Sequence, residues 1–129
     1  MNLLSPRIHA TVDYLSVLLL VLAPTLFGLN DIATRGAYAL AAIHLVMTLL
    51  TDFPGGVMKL LPLRVHGMVE IVVGVLLVLA PLVIPAATAL GMTGRIFFIA
   101  FGAVLVVVWG ITDYVRVHPE LHDDIHTEA

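Results

Sequence analysis

The chain has 129 residues, of which 60% are hydrophobic and 12% are charged, with a formal net charge of −3 and no cysteine. Soluble domains are about half apolar and a quarter charged, so this composition indicates a membrane protein. The lack of cysteine excludes disulfides, thiolate metal sites and iron–sulfur clusters. The sequence also contains no basic patch suited to nucleic acid, and we expect no nucleic-acid partner.

Four apolar segments follow one another along the chain, separated by turns that carry Gly, Pro and charged residues. They cover residues 8–28, 36–51, 65–86 and 96–114. A helix needs about 20 residues to cross the hydrocarbon core, and lipid requires the backbone to satisfy its own hydrogen bonds. The sequence therefore predicts an all-α membrane protein with four transmembrane helices, the first capped by Ser5 and opened by Pro6.

The first and third segments begin alike. Aligned at an offset of 57, residues 7–24 and 64–81 are identical at nine of eighteen positions. The identical polar residues are Arg7 with Arg64 and His9 with His66, and Asp13 with Glu70 is a conservative tenth pair. The second and fourth segments end on the similar stretches "LLTDFP" and "GITDYV". The pattern indicates one helical hairpin that is used twice.

The repeats define the predicted organisation of the chain. Repeat one covers 5–54 and repeat two covers 62–115, together forming a transmembrane domain over 1–116, and residues 117–129 form a soluble polar tail. Two helices return the chain to its starting side, so both tandem hairpins have the same orientation. We therefore expect pseudo-twofold symmetry about the membrane normal.

Several stretches resemble the SPW-repeat family of small bacterial four-helix integral membrane proteins. They are "RIHATVDYL", "LAPTLFG" and "LLTDFPGG" in the first repeat, and "LPLRVHGMVE" and "LAPLVIP" in the second. The family is named for a Ser-Pro-Trp motif, of which both copies here keep only the proline of Leu-Ala-Pro. The resemblance implies the hairpin-repeat architecture and location in a bacterial inner membrane, and it supplies no activity.

Basic residues near the segment ends predict the orientation. Four of them lie on the side that holds both termini and two on the other side: Arg7, Lys59, Arg64 and Arg116 against Arg35 and Arg95. The positive-inside rule then places both termini in the cytoplasm.

Polar residues are expected to gather at this same end of the bundle. His9 and Asp13 are four residues apart, as are His66 and Glu70, so each pair shares one helix face. Two further carboxylates end the second and fourth helices and return to the same leaflet. The candidate cluster therefore comprises His9, Asp13, His66, Glu70, Asp52 and Asp113.

Three interpretations of the cluster stay open. In the first, the chain is a non-enzymatic structural or accessory subunit without a cofactor, and Arg7 and Arg64 pair with Asp52 and Asp113. In the second, the cluster moves protons or ions in an oligomer, because ionisable groups within a membrane are functional candidates. In the third, it binds a metal or haem through His9, His66, Asp13, Glu70 or His44.

No catalytic motif accompanies the cluster. The expected partners are the lipid bilayer and either further copies of the chain or a larger membrane complex. The tail carries His118, His122 and His126 at a spacing of four, but Pro119 and the neighbouring acidic residues favour a solvated segment.

Overall fold

The computed structural model describes residues 3–115. It is all-α, with four helices that are long and apolar enough to cross a membrane, which confirms the prediction at that level. Their bounds are α1 Pro6–Phe27, α2 Asp31–Leu50, α3 Leu63–Val83 and α4 Gly91–Ile111. Arg116 and the tail 117–129 lie outside the described residues.

The first helix begins as the sequence predicts. Ser5 is the N-cap, its Oγ accepts from the backbone N–H of Ile8 at 3.4 Å, and Pro6 occupies the first turn. The helix ends at Gly28, whose φ of 62° lies in the left-handed region where a residue without Cβ is favoured. The turn between α1 and α2 therefore needs only a few residues.

Two helices, α2 and α4, start earlier in the chain than the predicted spans. The second span was expected from residue 36, but α2 starts at Asp31 because Asn30 caps it and accepts from the backbone N–H of Ala33 at 3.0 Å. The fourth was expected from residue 96, but α4 starts at Gly91, after a 3₁₀ helix over Pro85–Leu90. Capping by Asn30 sets the start of α2, whereas α4 has no side-chain cap and follows the 3₁₀ helix directly. Hydropathy registers neither feature.

Helices pack closely within each hairpin, α1 with α2 and α3 with α4. In the second hairpin the contact depends on small residues, because a Cβ on Gly102 would lie 2.6 Å from the carbonyl oxygen of Gly74. Apolar side chains fill the half of the bundle that lies away from His9 and His66. Its buried residues are Leu20, Ala23, Leu29, Ala33, Ala37, Ala41, Phe97, Phe98, Phe101 and Leu105.

Short backbone pairings join the two hairpins at the polar end of the bundle, the end that holds His9 and His66. A two-residue parallel pair links Thr51–Asp52, after α2, to Leu61–Pro62, before α3. A bridge of the same sense links Leu4, before α1, to Thr112, after α4. These pairings hold each threonine beside the first turns of a helix in the other hairpin.

Candidate metal centre

Two histidines from different hairpins meet at the centre of the polar end. His9 and His66 are fully buried, and their rings lie edge to face with centroids 5.5 Å apart. They are the aligned histidines of the two repeats, 57 residues apart in sequence. The helix starts of α1 and α3 therefore bring two imidazoles into one site.

A threonine from the opposite hairpin orients each ring. His66 Nδ1 lies 2.7 Å from Thr51 Oγ1, and His9 Nδ1 lies 2.8 Å from Thr112 Oγ1. Each threonine hydroxyl donates its proton to the carbonyl oxygen four residues earlier, at 2.6 Å in both cases. The threonine oxygen must then accept from the ring, so Nδ1 carries the proton and each neutral ring presents an Nε2 lone pair to the interior.

Two buried carboxylates face these lone pairs. Asp13 and Glu70 are 1% and 2% exposed. His9 Nε2 lies 3.4 Å from Asp13 Oδ1 and 3.5 Å from Glu70 Oε2, and His66 Nε2 lies 3.4 Å from Asp13 Oδ2. Charge-assisted hydrogen bonds between nitrogen and carboxylate are shorter, about 2.7–2.9 Å. The groups are neighbours without being hydrogen-bonded to one another.

A third histidine joins the cluster from α2. His44 Nε2 lies 3.5 Å from Asp13 Oδ1, and the His44 ring centroid is 6.0 Å from that of His66. Asp13 therefore lies at the middle of the site, within 3.5 Å of all three imidazoles.

The inward-facing atoms of these five residues share one property. Within residues 3–115, each is buried and makes no hydrogen bond. They are His9 Nε2, His44 Nε2, His66 Nε2, both carboxylate oxygens of Asp13 and both of Glu70. An unsatisfied buried polar group costs about 1–3 kcal/mol, and a charged one costs more. A bound partner shared by these buried atoms would remove that cost.

The spacing of these atoms lets ligand atoms from four residues converge on one small cation. Zinc bonds to imidazole nitrogen and carboxylate oxygen are about 2.0–2.2 Å long, so the edge of a regular tetrahedron of ligands is about 3.3–3.6 Å. Among His9, Asp13, His66 and Glu70 three nitrogen–oxygen distances fall in this range, at 3.4, 3.5 and 3.4 Å, and two of them use different oxygens of Asp13. One ligand atom each from His9, Asp13, His66 and Glu70 lies within 4.8 Å of all the others.

Two aromatic rings close the end of the site. Phe53 is 1% exposed and packs against both His9 and His66, at centroid distances of 6.2 and 6.0 Å. Tyr114 lies 6.3 Å from the His9 ring. Burial, together with the nearby Glu70, raises the pKa of the Tyr114 phenol, so its hydroxyl stays protonated. The rings shield the cluster from water and strengthen electrostatic interactions within it.

The two remaining predicted carboxylates lie at the edge of this group. Asp52 Oδ1 is 3.8 Å from Lys59 Nζ, a pairing that the sequence did not indicate. Asp113 is 3% exposed, and its Oδ1 accepts from the backbone N–H of Val115 at 3.0 Å. Both acids close the turns that follow α2 and α4 and are not among the four residues with converging ligand atoms.

The two arginines of the repeated motif point outward. Arg7 and Arg64 are exposed, and within residues 3–115 neither forms the expected ion pair with Asp52 or Asp113. Each guanidinium instead lines a groove on the surface of the bundle. Long basic side chains at helix ends reach toward the interface in this way because it spares them the cost of burial.

The residues that orient and cover the histidines were not predicted as site residues. They are Thr51, Phe53, Thr112 and Tyr114. A signal was present, because "TDF" and "TDY" occur at matching places after the second and fourth helices. The sequence prediction included only the carboxylates of those stretches, whereas the threonine and the aromatic residue contact the histidines.

Comparison with known proteins provides no relative from which a role could be transferred. No protein family, curated protein or solved structure matches this chain. The resemblance to the SPW-repeat family stays a hypothesis. What the chain does is therefore inferred from its own residues.

Proposed function

We propose that this chain is a non-enzymatic integral membrane protein that holds a resident divalent transition-metal ion in its helix bundle. His9, His66, Asp13 and Glu70 are the four ligands, and His44 lies beside them, with its Nε2 3.5 Å from Asp13 Oδ1. In this proposal the ion fastens the two hairpins together, and the protein serves as a structural or accessory membrane subunit.

The observation that carries the proposal is the set of inward-facing atoms without hydrogen bonds. A cluster that served only to specify helix packing would satisfy its polar atoms with one another, because unpaired buried groups are destabilising. Here the imidazole and carboxylate atoms stay 3.4–3.5 Å apart. A cation at their centre would take one ligand atom from each of the four residues with converging atoms, and its two charges would balance two buried carboxylates.

The ligand types select the class of ion. Imidazole suits Zn²⁺ and Fe²⁺, carboxylate also suits Mn²⁺, and thiolate ligands, which favour Cu⁺, do not occur in this chain. Zn²⁺ is favoured among these because it accepts imidazole and carboxylate together in four-coordinate sites. The Nδ1–H groups held by Thr51 and Thr112 are the outer-shell contacts that metal-binding histidines usually make.

Burial supports a resident ion over one in transit. The four ligands are at most 2% exposed, and they come from α1 and α3, with His44 from α2 nearby. Four protein ligands leave no open position in a four-coordinate site, which is typical of structural rather than catalytic zinc sites. We therefore favour a role in holding the fold over one in activating a substrate.

The same geometry favours a single ion over haem. The rings of His9 and His66 touch edge to face, 5.5 Å apart, and Phe53 packs against both of them. A porphyrin ligated by two histidines needs a flat slot between their rings. Inserting one here would require the hairpins to separate.

The symmetry and the orientation belong to the proposal too. We infer a pseudo-twofold axis along the membrane normal, supported by the exchanged contacts in which the histidine of each hairpin bonds a threonine of the other. The basic residues near the helix ends support cytoplasmic termini. A bacterial inner membrane follows only from the family resemblance.

Metal analysis with cobalt substitution tests the proposed function. The protein, purified in mild detergent without chelators, should contain one divalent transition-metal ion per chain. After removal of that ion, Co²⁺ should bind with intense visible bands, which are characteristic of a tetrahedral site with nitrogen and oxygen ligands. The double variant Asp13→Asn/Glu70→Gln should lose both properties.

A matched control is available on the surface of the bundle. Asp31, in the first turn of α2, is exposed and outside the cluster, so Asp31→Asn should bind cobalt like the unaltered chain. If the unaltered protein folds yet binds neither native metal nor Co²⁺, the proposed function is wrong and the cluster is protonated instead.

A further inference from the structure

A groove lies on the surface of the second hairpin, between the start of α3 and the end of α4. It has a volume of about 450 Å³. Its lining consists of Arg64, Met68, Trp109, Gly110, Thr112 and Tyr114. We refer to it as the Arg64 groove. Thr112 and Tyr114 also contact the metal centre, but the other four lining residues take no part in it.

The groove combines one cation with an apolar wall. Arg64 is exposed, and within residues 3–115 its guanidinium makes no hydrogen bond or ion pair. Met68 and Trp109 are 65% and 40% exposed and supply the apolar surface. This division, with charge at one end and hydrocarbon beside it, matches an amphiphile with an anionic head group.

The missing side chain of Gly110 deepens the groove. A Cβ placed on Gly110 would have no atom within 4 Å, so this stretch of α4 leaves open space next to Trp109. An acyl chain could lie along the bare helix surface there. Trp109 and Tyr114 are also of the types that collect at the level of the lipid head groups, where Arg64 would meet a phosphate.

We propose that the Arg64 groove binds an anionic phospholipid, with Arg64 contacting the phosphodiester and an acyl chain lying over Gly110 between Met68 and Trp109. Arginine suits this contact because its planar fork donates two hydrogen bonds to phosphate oxygens. Lipid binding here does not require a bound metal ion, because Arg64, Trp109 and Gly110 lie outside the metal centre.

The first hairpin provides a matched control groove of about 320 Å³. It is lined by Arg7, Ala10, Thr11, Tyr14, Pro54 and Gly55. The Tyr14 hydroxyl donates to the carbonyl oxygen of Gly55 at 2.7 Å, which fixes the ring beside the loop. Arg7 is the aligned counterpart of Arg64, so replacing it changes the net charge equally without touching the Arg64 groove.

Tryptophan fluorescence tests the proposal directly, because Trp109 is the single tryptophan of the chain and lines the groove. Brominated phosphatidylglycerol and brominated phosphatidylcholine, which quench nearby indoles, would be titrated into the full-length protein in neutral detergent micelles. We expect saturable quenching with half-saturation at about tenfold lower phosphatidylglycerol than phosphatidylcholine, the size of one charge-assisted contact.

Variants separate the head-group contact from the chain contact. Arg64→Gln should remove the preference for phosphatidylglycerol, Arg7→Gln should retain it, and Gly110→Leu should abolish saturable quenching by filling the space. The melting temperature of each variant would be measured, so that quenching is compared only among folded proteins. Equal quenching by both lipids, or an unchanged preference in Arg64→Gln, would overturn the proposal.

An arm with inorganic phosphate distinguishes a lipid site from a simple anion site. Millimolar phosphate should not relieve quenching by phosphatidylglycerol, because it lacks the acyl contacts over Gly110. Full displacement by phosphate would show that the groove recognises a free anion, and the lipid assignment would then be wrong.

Discussion

At the scale of single residues, two threonines determine which ring nitrogen of each histidine faces the interior of the site. Thr51 and Thr112 donate to backbone carbonyls and accept from His66 and His9, which leaves both Nε2 lone pairs directed inward. Sequence spacing identified the histidine–acid pairs because residues four apart share a helix face. It could not identify the threonines, since their contacts join residues 15 and 103 positions apart in the chain.

Replacing Thr51 or Thr112 with valine should weaken metal binding by about 10- to 100-fold, the usual effect of losing an outer-shell partner. Valine keeps the shape of threonine but leaves the imidazole Nδ1–H without an acceptor. Competition against a chromogenic chelator measures the affinity. The control is Thr48→Val, because Thr48 is equally buried but its hydroxyl only donates to the carbonyl oxygen of His44. Equal losses in all three variants would contradict the proposed role.

The two carboxylates should not contribute equally. Asp13 lies within 3.5 Å of the three histidines, whereas Glu70 approaches His9. We expect Asp13→Asn to reduce Co²⁺ affinity at least about tenfold more than Glu70→Gln, a difference of about 1.4 kcal/mol. Titrations followed by the visible cobalt bands would check the order, and the reverse order would place the ion nearer Glu70.

At the scale of elements, hydropathy predicted the number of helices and missed where they start. Long apolar runs are a strong signal for membrane-spanning helices, so the sequence predicted all four. The start of α2 depends on Asn30, which caps this helix and also donates from Nδ2 to the carbonyl oxygen of Ala89, shortly before α4, at 2.9 Å. One side chain thus joins two turns that are 59 residues apart, a contact that no local pattern shows.

The close approach of α3 and α4 gives a test at this scale. Changing Gly102 to alanine would place a methyl group 2.6 Å from the carbonyl oxygen of Gly74, and backbone cannot move aside cheaply. We expect a loss of about 1–3 kcal/mol in unfolding free energy, the usual cost of overpacking. Unfolding in a mixed-detergent titration measures it. Gly110→Ala, with open space around its Cβ, should be neutral, and a neutral Gly102→Ala would contradict the packing.

At the scale of the whole molecule, the bundle is held together differently at its two ends. Aromatic and small residues from α2 and α4, such as Phe98 against Gly36, pack at the far end. At the other end, imidazole and carboxylate groups from both hairpins converge on one point. An ion there would link α1 to α3 directly, which no local interaction within a hairpin does.

Metal should therefore stabilise the fold as a whole. A ligand that binds only the folded state adds about 2.7 kcal/mol at a concentration one hundred times its Kd. We expect chelation to lower the melting temperature of the unaltered protein by several degrees and readdition of Zn²⁺ to restore it. Asp13→Asn/Glu70→Gln should melt at the same temperature with and without Zn²⁺, and a metal response in that variant would place the stabilising ion elsewhere.

X-ray absorption at the edge of the co-purified metal tests the central claim most directly. We predict a first shell of nitrogen and oxygen ligands at about 2.0–2.1 Å, with the outer-shell scattering pattern of at least two imidazoles that disappears in His9→Ala/His66→Ala. A first shell of water oxygens without imidazole scattering, or a spectrum unchanged in that double variant, would show that the buried cluster does not bind the ion.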